Sequence, residues 1–172
     1  PASDSSGTNE LFSASDLSED NSYLQFYQRG DSDDRLDFEV KEGGSTSINC
    51  HTGAGSISPA DSWHYVAVTV SASGNSIYID GVKISPTYST GNASTQAFFN
   101  TVNNIDSVLI GAMNDSGGLD TFFNGHISEV AIWDVALTTN QVKTLYNDRE
   151  PFNARNVARS DLISYLRFGD GS

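Results

Sequence analysis

Trp63-His-Tyr-Val-Ala-Val-Thr-Val70, Ser71-Ala-Ser-Gly-Asn-Ser76 and Ile77-Tyr-Ile-Asp-Gly-Val-Lys-Ile84 decide the fold. Two runs rich in β-branched and aromatic residues, parted by a small polar cluster, read as antiparallel strands. In the first, Val66, Val68 and Val70 alternate with Tyr65, Ala67 and Thr69, so one face is aliphatic throughout and belongs to a core. Asp80-Gly81 supplies the positive φ angles of a tight hairpin turn, and Val82 and Ile84 return the chain, giving a three-stranded meander.

Outward from this meander, turn signals recur every eight to twelve residues, the spacing of an all-β sandwich. Strands are expected over 10–15, 23–28, 35–41, 45–51, 107–112 and 126–133, with a polar loop over 85–96. One stretch, Leu137 to Asn147, changes period. Thr138 or Thr139 can cap its start, and Val142, Leu145 and Tyr146 form an i, i+3, i+4 stripe, which predicts one short helix over 138–147. Residues 1–9 read as a linker or loop, 10–147 as the domain, and 148–172 as a C-terminal extension carrying a strand at 161–168.

With 172 residues the chain is long enough for one sizeable core. Its formal net charge of -13 and pI near 4.2 argue against binding nucleic acid or an anionic membrane through charge. No apolar run approaches the ~18 residues of a membrane span. Cys50 stands alone, which excludes an intrachain disulfide and reads as a small buried hydrophobe. Pro1 follows neither an initiator Met nor a signal peptide, so the chain reads as processed or as an excerpt of a longer one. The sequons at Asn92 and Asn114 are short enough to occur by chance in so Asn- and Ser-rich a chain.

The central stretch resembles the Trp-His-x-Val-Ala-Val-Thr strand and Tyr-(Ile/Val)-Asp-Gly-Val hairpin of laminin-G-like, concanavalin A-like jelly-roll domains. Phe123-Asn-Gly-His-Ile-Ser-Glu-Val-Ala-Ile-Trp-Asp-Val-Ala-Leu137 resembles a second block of that family, in the right order and separation. The resemblance covers roughly residues 8–147 and implies an antiparallel two-sheet jelly roll in which Trp63 and Trp133 are core. It also implies a gap. The family places a Phe-Ser-Ile-Ser-x-Trp-Val strand before a segment like Leu11 to Ser15, and none precedes it here, so the open sheet edge should be completed by the tail, a neighbouring domain or another chain.

Catalysis lacks its usual residues. The Glu-x-Asp-x-x-Glu spacing of the glucanase relatives is absent, Glu129 has no carboxylate two residues away, and no Gly-x-Ser-x-Gly elbow occurs. His51, His64 and His126 have no metal-ligand spacing and read as surface or rim residues. Calcium is the candidate cofactor, since laminin-G and pentraxin relatives hold it on loop oxygens; Asn114, Asp115 and Asp120 lie in a Gly-rich loop suited to a hard cation. Tyr23, Tyr27, Tyr88 and Phe122 are candidate sugar-stacking residues, because aromatic faces cover sugar C–H surfaces while nearby Asn and Asp bind hydroxyls.

The expected function is a non-catalytic recognition or adhesion module for a glycan or surface polysaccharide, extracellular or on a cell or virion surface. The alternative is a structural decoration, fibre or appendage domain, held by self-contacts or by a shell protein.

Overall fold

Strand β2 (Tyr23–Arg29) is buried on both faces from Tyr23 to Gln28, which its position explains. In the computed structural model, which describes residues 7–30, 33–57, 62–114, 118–150 and 152–168, it runs between β1 (Thr8–Ser15) and β3 (Arg35–Glu42), antiparallel to both. Beyond β3 come β4 (Ser45–His51) and β8 (Thr87–Thr90), and beyond β1 comes β9 (Ser107–Ile110), giving a six-stranded sheet in the order β8-β4-β3-β2-β1-β9. Register places Leu24, Val40 and Ile48 in one apolar row and Phe26, Phe38 and Cys50 in the next. Strand β8 falls within the loop expected over 85–96. Three of its four residues are exposed at the sheet edge, so no apolar alternation marked it.

The meander forms the second sheet from β5 (Val66–Thr69), β6 (Ser76–Ile79) and β7 (Val82–Ile84). Val66, Val68, Ile77, Ile79 and Ile84 face the six-stranded sheet, with Phe98 and Phe99 filling the space between. The turn is as expected, with φ of 49° at Asp80 and 73° at Gly81. A side chain at Gly81 would also meet the Tyr146 ring, because a Cβ there would lie 2.9 Å from it.

Helix α1 (Thr139–Tyr146) lies on the outer face of this sheet. Thr138 and Gln141 form a reciprocal capping box, and Asn147 closes the helix in the left-handed region at φ 43°. Val142 and Leu145 join Tyr78, Leu137, Ala154 and Val157 in a second apolar cluster. In the tail, β13 (Leu162–Leu166) lies antiparallel to β12 (Val130–Trp133), and the Trp133 indole donates to the Val157 carbonyl at 3.1 Å.

The expectation of a buried Trp63 is corrected. Trp63 is 60% exposed, its ring 6.4 Å from that of His126. The physical cause is an opening beside it: no described strand pairs with the outer edge of β5, nor with the edge of β12 turned away from β13. Between these edges runs an apolar groove of about 1,260 Å³, and all four residues of β5 and of β12 are only half-buried.

Candidate functional site

The polar face of the six-stranded sheet follows from alternation along β3. With Leu36, Phe38 and Val40 turned inward, Asp37, Glu39 and Lys41 must turn the other way. Register aligns Ser13, Gln25, Glu39, Asn49 and Thr90 across five strands, and Tyr27, Asp37, His51 and Thr87 in the adjacent row.

Glu39 is the centre of this face. Gln25 Nε2 donates to Oε2 at 2.8 Å, Asn49 Nδ2 donates to Oε1 at 3.1 Å, the Tyr23 hydroxyl donates at 3.4 Å, and Lys41 Nζ stands 3.8 Å away. Asp37 is held differently, by the fork of Arg35: Nε donates at 2.9 Å and Nη2 at 3.2 Å. Burial, helped by the charge of Asp37, pushes the Tyr27 phenol up to about 12. The same two causes push the Cys50 thiol up to about 12 on the core side, so it stays protonated and unreactive.

One side of the face is closed. The short ladder of β10 (Met113–Asn114) and β11 (Leu119–Asp120) lies over β1, where the Ser13 and Ser15 hydroxyls donate to the carbonyls of Ala112 and Asn114 at 2.9 and 2.5 Å. The β4–β8 side is open: Lys41, Asn49 and His51 are half-buried, and Thr87 and Thr90 are exposed.

The expected binding residues are only partly brought together. Tyr23 and Tyr27 share the polar face, but their residues are 6% and 5% exposed and Lys41 Nζ sits 5.3 Å from the Tyr23 ring centre, which leaves edges rather than open ring faces. Tyr88 registers with Cys50 and packs against the core. Phe122 is 60% exposed. Asn114 registers with Leu119 and Asp120 with Met113, so these two side chains leave opposite faces of the ladder, and Asp115 lies outside the described residues. Among the described residues no group of three His, Cys, Asp or Glu is placed to hold a metal. Gln25, Glu39 and Asn49 were missed by sequence reasoning, although polar residues alternating with Leu36, Phe38 and Val40 were a usable signal.

A second polar cluster precedes β5. Ser62 Oγ lies 3.1 Å from His64 Nε2, and His64 Nδ1 lies 3.0 Å from Asp80 Oδ2. The residue order matches a hydrolase relay, but the bonds serve the turn. Asp80 Oδ1 also accepts the Tyr65 amide at 2.9 Å, and the Asp80 amide donates to the Tyr65 carbonyl at 2.8 Å. Asp80→Ala is accordingly expected to cost about 2 kcal/mol in urea unfolding, while Asp80→Asn, which keeps an acceptor for Tyr65, costs less than half of that. Equal losses would show that the charge, not the bond to Tyr65, holds the turn.

Glu129 also has a structural task. Its carboxylate accepts the Tyr165 hydroxyl and lies 3.5 Å from Arg167 Nε, tying the tail to the chain before β12.

Two antiparallel sheets stacked face to face, with a polar outer face on the larger, define a lectin-type jelly-roll sandwich. The chain belongs to the concanavalin A-like lectin/glucanases superfamily, whose model Laminin_G_3 matches residues 1–143. Among solved structures it is similar to the NanB sialidase of Streptococcus pneumoniae, with 17% identity and a TM-score of 0.61 over 83% of this chain. It spans only 22% of that sialidase. It is also similar to the heptameric SAP-like pentraxin of Limulus polyphemus, with 23% identity and a TM-score of 0.56, covering 96% of this chain and 74% of that one. No curated protein matches at a significant level. Among the described residues no helix is long and apolar enough to cross a membrane.

Proposed function

We propose that this domain is a non-catalytic recognition module that binds a glycan, or a glycan-coated surface, on the open β4–β8 side of its polar face. The observation that carries the reading is the row Gln25–Glu39–Asn49: a carboxylate and two amides, held by strands and by one another, border a strip of half-buried and exposed polar residues. Such pre-oriented donors and acceptors suit sugar hydroxyls, which both give and accept hydrogen bonds. Membership of a lectin/glucanase superfamily agrees with this ligand class. The absence of catalysis is supported by the state of the two carboxylates. Asp37 is clamped by Arg35 and Glu39 is engaged by three donors, so neither is placed as a proton donor with the other as nucleophile. An extracellular or cell-surface setting goes with this reading. A structural assembly module is the second reading, and it draws on the open groove between β5 and β12.

A glycan array probed with the 172-residue chain is the test. Asn49→Ala and Glu39→Gln are each expected to weaken the strongest glycan hit by about tenfold with near-UV circular dichroism unchanged, and the glycan should be recovered intact. Binding that ignores both substitutions places the site elsewhere, and a cleaved glycan refutes the non-catalytic reading.

A further inference from the structure

Asn124-Gly125 is the only Asn-Gly pair in the chain, and it lies in the segment that joins β11 to β12. An asparagine side chain is open to attack by the backbone nitrogen of the next residue. Glycine in that next place makes the attack easiest, because it adds no Cβ to crowd the new ring and leaves the backbone free to turn. The fold leaves this pair accessible. Asn124 and Gly125 are exposed, and among the described residues neither the Asn124 side chain nor the Gly125 amide makes a hydrogen bond. The Phe123 amide donates to the Gly111 carbonyl at 2.9 Å, and from there to the β12 ladder, which begins at Val130, residues 124–129 have no backbone pairing. The fold also requires the glycine: a Cβ at position 125 would lie 2.7 Å from the Phe123 ring.

Other asparagines are held. Asn75 is 7% exposed, its Oδ1 accepting the Ser71 amide and its Nδ2 donating to the Thr95 carbonyl. Asn92 Oδ1 accepts from the Ser94 amide and hydroxyl, and Asn114 Oδ1 accepts from the Gly118 amide.

We propose that Asn124 is a site of spontaneous covalent modification, at which water converts the asparagine to aspartate and isoaspartate. The Gly125 nitrogen forms a bond to Asn124 Cγ, the Cγ–Nδ2 bond breaks, and Nδ2 leaves as ammonia with the proton given up by the Gly125 amide. Water then opens the cyclic imide. Addition at Cγ restores the normal backbone with an aspartate side chain. Addition at the main-chain carbonyl leaves the backbone running through Cγ, one methylene longer, and frees the former carbonyl as a carboxylate. Either product adds a negative charge beside an apolar cavity of about 360 Å³ lined by Ile110, Gly111, Phe123, Gly125, Ile127 and Phe168. The isoaspartate does more. Its extra methylene enters between Phe123 and Gly125, whose packing depends on the ring lying against bare backbone, so the ring leaves its seat and the Phe123–Gly111 hydrogen bond loosens.

The test incubates the 172-residue chain in mildly alkaline buffer, folded and in urea, and follows each asparagine by peptide mass spectrometry. Isoaspartate is read separately, as methyl groups accepted from S-adenosylmethionine through an isoaspartyl methyltransferase. In the folded chain Asn124 is expected to be lost about tenfold faster than any other asparagine, and within about threefold of its own rate in urea. Asn124→Gln, which would have to close a larger ring, should abolish methyl acceptance. Asn124→Asp, which has the charge without the extra methylene, should keep the parental exchange rate at the Phe123 amide, while the isoaspartate fraction of the aged chain exchanges there about tenfold faster. Loss at Asn124 in urea but not in the folded chain overturns the proposal, since the fold would then close the pair. Faster loss at another asparagine, or methyl acceptance that survives Asn124→Gln, overturns it as well. Unchanged exchange at Phe123 in the isoaspartate fraction overturns the unseating of the ring.

Discussion

Glu10→Gln is expected to stabilise the fold near pH 7 by roughly 3 kcal/mol, an unusual sign for a buried substitution. Glu10 is fully buried in β1, registers with Tyr27, and has neither carboxylate oxygen in a well-formed hydrogen bond. Burial above all pushes its carboxyl up to about 9 from 4.5; the nearby Phe26 amide opposes this in part, and the charge of Glu39 adds to it. Between those two values the folded chain keeps a proton that the unfolded chain has released. Stability contributed at this site therefore falls as pH rises from about 4.5 toward 9, by about 1.4 kcal/mol per pH unit. A glutamine keeps the shape without the titration, so the variant should gain little at pH 5 and progressively more at pH 7 and 8. Urea unfolding at the three pH values measures this. A variant whose stability difference from the parent stays constant over that range removes proton release by Glu10 from the account.

Phe38→Ala should cost about 4 kcal/mol, and Val68→Ala only about 1, although both side chains face the same core. Phe38 is 1% exposed, registers between Phe26 and Cys50, and packs on Phe98 at a ring separation of 5.9 Å. Truncation there removes packing from the centre of the six-stranded sheet. Val68 lies on the half-buried strand beside the groove, so part of its surface already meets solvent and the deletion opens no closed cavity. The paired measurement reads the openness of the groove in solution. Similar costs at the two positions would mean that β5 is covered, as it would be by a second copy of the chain.

The fold was legible where alternation is strict. Val66, Val68 and Val70, with the Asp80-Gly81 turn, define the meander, and Thr138 with the Val142–Leu145 stripe defines the helix. Elements that borrow their partners were harder to read. β8 is an exposed edge strand without an apolar face, and β10–β11 is a two-residue ladder. The site was less legible for a related reason. Tyr23 and Tyr27 could be placed on one face of β2, but convergence on Glu39 depends on register across five strands, which no single segment encodes. Trp63 shows the converse: the family resemblance implied its burial, yet no described strand pairs with the edge of β5 beside it, and it is left in solvent. A missing neighbour cannot be inferred from the residue itself.

The attachment of the tail also sets how the domain responds to force. β13 is antiparallel to β12 and adjoins the C-terminal end of the chain, with side-chain ties from Tyr165 and Arg167 to Glu129. Tension applied through the C-terminus would load this ladder one hydrogen-bonded pair at a time, as in opening a zip. A domain tethered at that end would therefore yield first at its tail, lengthening by a few residues at low force before its polar face was disturbed.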